Sequence, residues 1–128
     1  MFNSDELALT SSLTLEFWIL CSSLPSDAEA FVIGRHTAAP RDQKYFVTVR
    51  SDGLISFQIE NDPFAHELLG PGCPTDCPQH IACTYDGSMM RIFVNGVEAN
   101  SRVAAFDIQS TEGGSLRIGA DFDDTGAN

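Results

Sequence analysis

Lysine occurs once in this chain, at Lys44, and eighteen acidic residues face seven basic ones for a net charge of -11. A surface so poor in cations repels phosphate backbones, which argues against nucleic acid as a partner. It attracts Ca²⁺ and tolerates neutral ligands such as sugars. Long apolar runs are missing too. The longest, from Phe17 to Cys21, falls far short of the roughly 18 residues that a transmembrane helix requires. The opening MFNSDELALT has neither the basic segment nor the apolar stretch of a signal peptide. Internal repeats and low-complexity stretches are absent, and 128 residues make one domain, 1–128.

Helical periodicity is the most informative absence. No segment of about 10–15 residues carries it, which argues against a parallel βαβ architecture. The period of two is everywhere instead. In SLTLEFWILC (12–21), Leu13, Leu15, Phe17 and Ile19 alternate with Thr14, Glu16 and Trp18. Further strand-like segments are 30–34, 44–49, 54–60, 80–85, 90–94, 97–100 and 115–119. Asp52-Gly53, Asp86-Gly87 and Asn95-Gly96 sit between such runs. These pairs supply the positive φ angles that type I′ hairpin turns demand. The pattern predicts an all-β, antiparallel two-sheet sandwich. Three loops, 25–30, 35–42 and 61–79, carry all six prolines, and the last also holds two cysteines and one histidine.

HIACTYDGSMMRIFVNGVEA (80–99) resembles the "HxAxTYDGSxxxxYVNGxxx" hairpin of laminin-G-like jelly rolls in the concanavalin A-like lectin/glucanase superfamily. SLTLEFWI (12–19) is similar to an early strand of that family, with Trp18 in its characteristic place, and SLRIGADFDD (115–124) resembles its "LxIG" strand and following loop. The resemblance implies a jelly-roll sandwich and an extracellular or cell-surface setting. Two departures stand out. Pro78 occupies the place of a usual tryptophan two residues before His80. The family's last core strand, a segment like "FxGxIDEVxIW", does not follow the IG strand. Either the sequence is truncated, or another chain or an unusual pairing covers the gap. Such an open edge is a template for strand addition, so homodimerisation through it is expected.

Pentraxins share this fold, and the comparison implies a calcium site. Asp121, the carbonyl of Phe122 and Asp123 match one half of the pentraxin ligand set, and Asp42 with Gln43 matches the other. Calcium takes six to eight oxygens from flexible loops, and clustered carboxylates repel one another without a counter-ion. Against this, loop aspartates commonly cap turns through their own backbone. The pentraxin disulfide joins positions matching Glu16 and Ala82, so that pairing is not carried over. Cys21 and Cys83 read as buried thiols. Cys73 and Cys77 could close a local disulfide, or join His66 and His80 in a zinc site whose C-x3-C-x2-H spacing matches no strong signature.

Catalysis finds little support. The glycosidases of the superfamily carry alternating carboxylates on one strand, and FQIEND (57–62) offers Glu60 and Asp62 with no third partner. No nucleophile elbow is present. The expectation is a non-catalytic module that binds carbohydrate or a protein surface, with calcium assistance. The competing expectation is a structural or assembly module of a larger extracellular protein.

Overall fold

Alternation decides which side of each strand meets the core. The computed structural model describes residues 11–23, 29–37, 42–61, 64–108 and 115–119, and every regular element among them is a strand. These are β1 (Leu13–Ile19), β2 (Glu29–Thr37), β3 (Asp42–Arg50), β4 (Leu54–Asn61), β5 (Phe64–Gly72), β6 (Gln79–Tyr85), β7 (Met89–Val94), β8 (Val97–Val103) and β9 (Ser115–Ile118). They form a four-stranded sheet, β1-β6-β7-β8, and a five-stranded sheet, β5-β4-β3-β2-β9. Every pairing is antiparallel. The two-sheet sandwich is therefore as the sequence predicts. No helix among the described residues is long and apolar enough to cross a membrane.

The inward residues of the two sheets build one core. Leu13, Leu15, Ile81, Cys83, Tyr85, Met90 and Ile92 come from one sheet, and Tyr45, Val47, Ile55, Phe57, Ile59 and Leu68 from the other. Each large aliphatic or aromatic group so buried stabilises the fold by about 1.5–3 kcal/mol. A stack of three rings spans the layers: Phe106 lies between Tyr85 (centroids 4.6 Å apart) and His66 (3.9 Å). The Tyr85 hydroxyl donates to the Phe106 carbonyl and accepts from the Phe106 N–H at 2.8 Å, so one side chain satisfies both backbone groups of that residue.

The turns refine the hairpin reading. Only at Asn95-Gly96 do both residues take positive φ, 50° and 83°, as a type I′ turn requires. At 51–53 and 86–88 three residues connect the strands, and glycine alone (Gly53, Gly87) has positive φ. There the aspartates work by accepting hydrogen bonds. Asp86 Oδ1 takes the N–H groups of Ser88 and Met89 at 2.8 Å, and Oδ2 takes Arg91 at 2.7 Å. Arg91 first, then those two amides, pull the Asp86 carboxyl down to about 2.

The strand β5 corrects the long loop predicted over 61–79. Its sequence hides it, because among its inward positions only Leu68 is a buried aliphatic residue and Pro71 interrupts it. Proline is tolerated here because β5 is a sheet edge. Side chains from the other sheet cover that edge. Asn100 donates to the Leu69 carbonyl at 2.7 Å and Arg102 to the Glu67 carbonyl at 3.0 Å. At the opposite side β1 pairs, among the described residues, with β6 alone.

A disulfide between Cys21 and Cys73, with Cα atoms 6.1 Å apart, pins the chain just after β1 to the segment just after β5. Cys21 N–H also donates to the Pro74 carbonyl at 2.8 Å. Closing a loop of 52 residues lowers the entropy of the unfolded chain by about 4 kcal/mol of free energy on a chain-entropy reckoning.

Candidate functional site

The outer faces of the two sheets differ in what they leave open to water. On the five-stranded sheet the outward polar groups are spent on one another. Ser56 is fully buried and donates to Glu67 Oε2 at 2.6 Å, while Gln58 Nε2 donates back to the Ser56 hydroxyl at 3.1 Å. Thr48 donates to Glu29 Oε2 at 3.0 Å, and Arg50 lies 2.9 Å from Asp52 and 3.9 Å from Glu67. Register explains the network: Gln58 faces Glu67 across the β4–β5 pair, and Ser56 faces Thr48 across β3–β4. Beside it Phe31 and Phe46 stack at 6.5 Å. Gly34 makes room for them, since a Cβ there would fall 2.6 Å from the Tyr45 carbonyl and against the Phe46 side chain.

The outer face of the four-stranded sheet presents Trp18. Leu13 and Leu15 point inward, so two-residue alternation turns Trp18 outward, and it remains 70% exposed. A tryptophan left in water forgoes one of the largest burial terms open to a side chain. Its surroundings hold it without covering it. His80, its cross-strand partner, meets the indole edge-on with ring centroids 5.4 Å apart. His80 is in turn clamped by the turn residue Asn95, whose Oδ1 accepts the His80 N–H at 3.0 Å and whose N–H donates to the His80 carbonyl at 2.8 Å. Glu16 Oε1 lies 3.8 Å from His80 Nε2. The result is an aromatic platform with a carboxylate and an imidazole at its rim. Leu20, the residue after β1, is half exposed as well. The sequence carried this signal, because Trp18 shares its face with Thr14 and Glu16.

The residues predicted for calcium fall in two places. Asp42 and Gln43 open β3, facing Thr37 and His36 of β2. Asp121, Phe122 and Asp123 lie outside the described residues. The strand before them, β9, runs antiparallel to β2 and ends with Ile118 facing Ile33 and Gly119 N–H bonded to the Val32 carbonyl. The described end of β9 thus meets the middle of β2, at Val32 and Ile33, whereas β3 starts against the last residue of β2, Thr37. Among the described residues no group of three metal-ligating side chains comes together.

Three of the four cysteines differ from the sequence readings. Cys73 bonds to Cys21 and not to Cys77, because the chain leaving β5 passes the end of β1 on its way to β6. Cys21 is thus not a buried thiol, and Cys77 is free and exposed. The zinc set does not assemble: Cys73 is consumed in the disulfide, His66 stacks on Phe106, and His80 packs on Trp18. Cys83 is the buried free thiol that the sequence predicts, facing Leu15, and burial pushes it up to about 12. Glu16 and Ala82, the positions of the pentraxin bridge, do face each other across β1–β6.

Fold and site together define an antiparallel β-sandwich domain with one outer face satisfied and the other carrying an open aromatic platform. A laminin G family model of the concanavalin A-like lectin/glucanases superfamily matches residues 1–128, and the chain belongs to that family. No curated protein matches it by sequence.

Proposed function

We propose that this chain is a non-catalytic binding module that takes a carbohydrate on the outer face of its four-stranded sheet, with Trp18 as the stacking platform. The observation that carries the reading is the exposed indole of Trp18, fixed by His80 and rimmed by Glu16. A sugar ring offers an apolar C–H face to an aromatic ring and hydroxyl donors to a carboxylate at its edge. Few but well-placed polar groups around an aromatic surface are the usual make-up of a small-ligand site. Family membership supports the class of function and leaves the ligand open. The non-catalytic part rests on Glu16 being the one carboxylate that a described contact holds beside the platform, whereas most glycoside hydrolysis needs two flanking the bond.

A glycan array probed with the full chain and with Trp18→Ala tests the reading. The native chain should bind at least one class of glycan, and the variant should lose that signal at least tenfold. Uniform binding by both proteins, or none by either, would count against it. Calcium assistance belongs to the same proposal, through Asp42, Gln43, Asp121, Phe122 and Asp123. For these to share an ion, the segment after Gly119 has to return along β2 toward Asp42. A rise of the thermal midpoint in millimolar Ca²⁺ supports that leg, and an unchanged midpoint removes it. The Cys21–Cys73 bond fits an oxidising, extracellular setting.

A second reading has its own observation. Among the described residues β1 pairs on one side only, and an unpaired strand edge can accept a strand from a second copy. An assembly module built that way should be a dimer by light scattering at micromolar concentration, with a mass unaffected by Trp18→Ala. A monomer excludes it.

A further inference from the structure

Three of the four cysteines lie on the segments that leave β1 and β5, and two of them meet. Cys73 is bonded to Cys21, and Cys77 follows it after Pro74, Thr75 and Asp76 with a free, exposed thiol. We propose that Cys77 and the Cys21–Cys73 disulfide form an internal thiol–disulfide exchange pair, in which attack on Cys73 frees Cys21 and unlocks the end of β1 next to Trp18.

The step balances without any added oxidant or reductant. Cys77 loses its proton to solvent, and its thiolate attacks Cys73 Sγ. The Cys73–Cys77 bond forms as the Cys21–Cys73 bond breaks, and Cys21 leaves as a thiolate that takes up a proton. One disulfide and one thiol are present before and after. The roles follow from placement. Cys73 is the shared sulfur because three residues separate it from Cys77, a spacing a loop can close. Cys77 is the attacker because it is the exposed thiol. Cys83 is not, since it is buried within β6 opposite Leu15 with its proton held tightly.

The consequence falls on β1. Cys21 lies two residues past Ile19, the end of β1, and three past Trp18. With the bond moved, Cys21 keeps a backbone tie to the loop, its N–H bond to the Pro74 carbonyl. The exchange trades closure of a long loop for closure of a short one, so the native packing of the β1 end sets the balance between the two forms. Whatever loosens that end favours Cys73–Cys77, and whatever fixes it favours Cys21–Cys73. Trp18, the single tryptophan of the chain, is therefore both neighbour and reporter. The device stands apart from the carbohydrate reading, because its readout is disulfide connectivity and requires no ligand.

The test incubates the full chain anaerobically between pH 6 and pH 8.5 with neither oxidant nor reductant. Samples are quenched in acid, their thiols alkylated, and their disulfides mapped by mass spectrometry. A Cys73–Cys77 peptide pair should appear with alkylated Cys21, forming faster at the higher pH values because the thiolate is the attacking species. Trp18 fluorescence should shift in step with that fraction. Cys77→Ser should hold Cys21–Cys73 alone at every pH with constant fluorescence. Cys21→Ser, treated with oxidised glutathione, should close Cys73–Cys77 and show that the loop can reach. The proposal is overturned if native protein keeps Cys77 as the alkylated loop cysteine at every pH, if only interchain disulfides form, or if Cys21→Ser fails to close the local bond.

Discussion

The outer faces of the two sheets are built from the same strand geometry and do opposite things with it. On the five-stranded face Ser56, Gln58, Thr48, Glu29 and Glu67 bond to one another, and Ser56 is wholly withdrawn from water. On the four-stranded face His80, Glu16 and Asn95 hold a tryptophan in place and leave it uncovered. A polar group whose partners are internal stabilises the fold and has little left for a ligand. A large aromatic ring held in water contributes little to the fold and has its surface free. The difference separates a face that serves stability from a face suited to binding.

Four expected outcomes bear on that contrast. The largest comes from the disulfide that anchors the Trp18 strand. The Cys21→Ser/Cys73→Ser double variant should lose about 4 kcal/mol of unfolding free energy in urea titration; a loss under 1 kcal/mol would detach that anchor from the fold's stability. Next comes the satisfied face. Glu67→Ala leaves the buried Ser56 hydroxyl without its acceptor and should cost about 1–3 kcal/mol, with Glu67→Gln milder because an acceptor remains. Equal costs for the two would break the account of that network.

A smaller effect comes from the ring stack between the sheets. Burial first, and the charge of Arg102 second, lower the His66 pKa below 6.5. The folded state therefore binds its proton less readily than the unfolded chain. This contribution is present above pH 6.5 and is lost as pH falls through 6.5 toward the folded value. The His66 side chain is half-buried against Phe106 and its pKa is only lowered, so the loss should be small, and His66→Gln should flatten this part of the stability–pH curve. The smallest stability change is expected of Trp18→Ala, within about 0.5 kcal/mol. A loss above 2 kcal/mol would show Trp18 to be a packing residue and would erase the contrast between the faces.

How much of this could be read from the sequence follows physical lines. Eight of the nine strands among the described residues carry either alternation or a clear apolar run, and each of the three hairpin signals marks a real connection. The strand β5 was hidden because Pro71 interrupts it and only one of its inward positions is a buried aliphatic. Two of the three turns use glycine and an accepting aspartate where the dipeptides implied type I′, a distinction that depends on loop length. The Cys21–Cys73 pairing was out of reach, since it depends on which strand ends meet across the sandwich. The Ser56–Glu67–Gln58 network needs the register of two neighbouring strands, which no single-strand pattern holds. Trp18 was legible: alternation placed it on the polar face, and its exposure follows.

The central claim is that ligand is taken at Trp18 and not on the hydrogen-bonded face of the other sheet. The most direct measurement is a glycan array read side by side for the native chain, Trp18→Ala and Glu67→Gln. The account predicts glycan binding by the native chain and by Glu67→Gln, with at least a tenfold loss in Trp18→Ala. Binding that survives in Trp18→Ala and disappears in Glu67→Gln would contradict it.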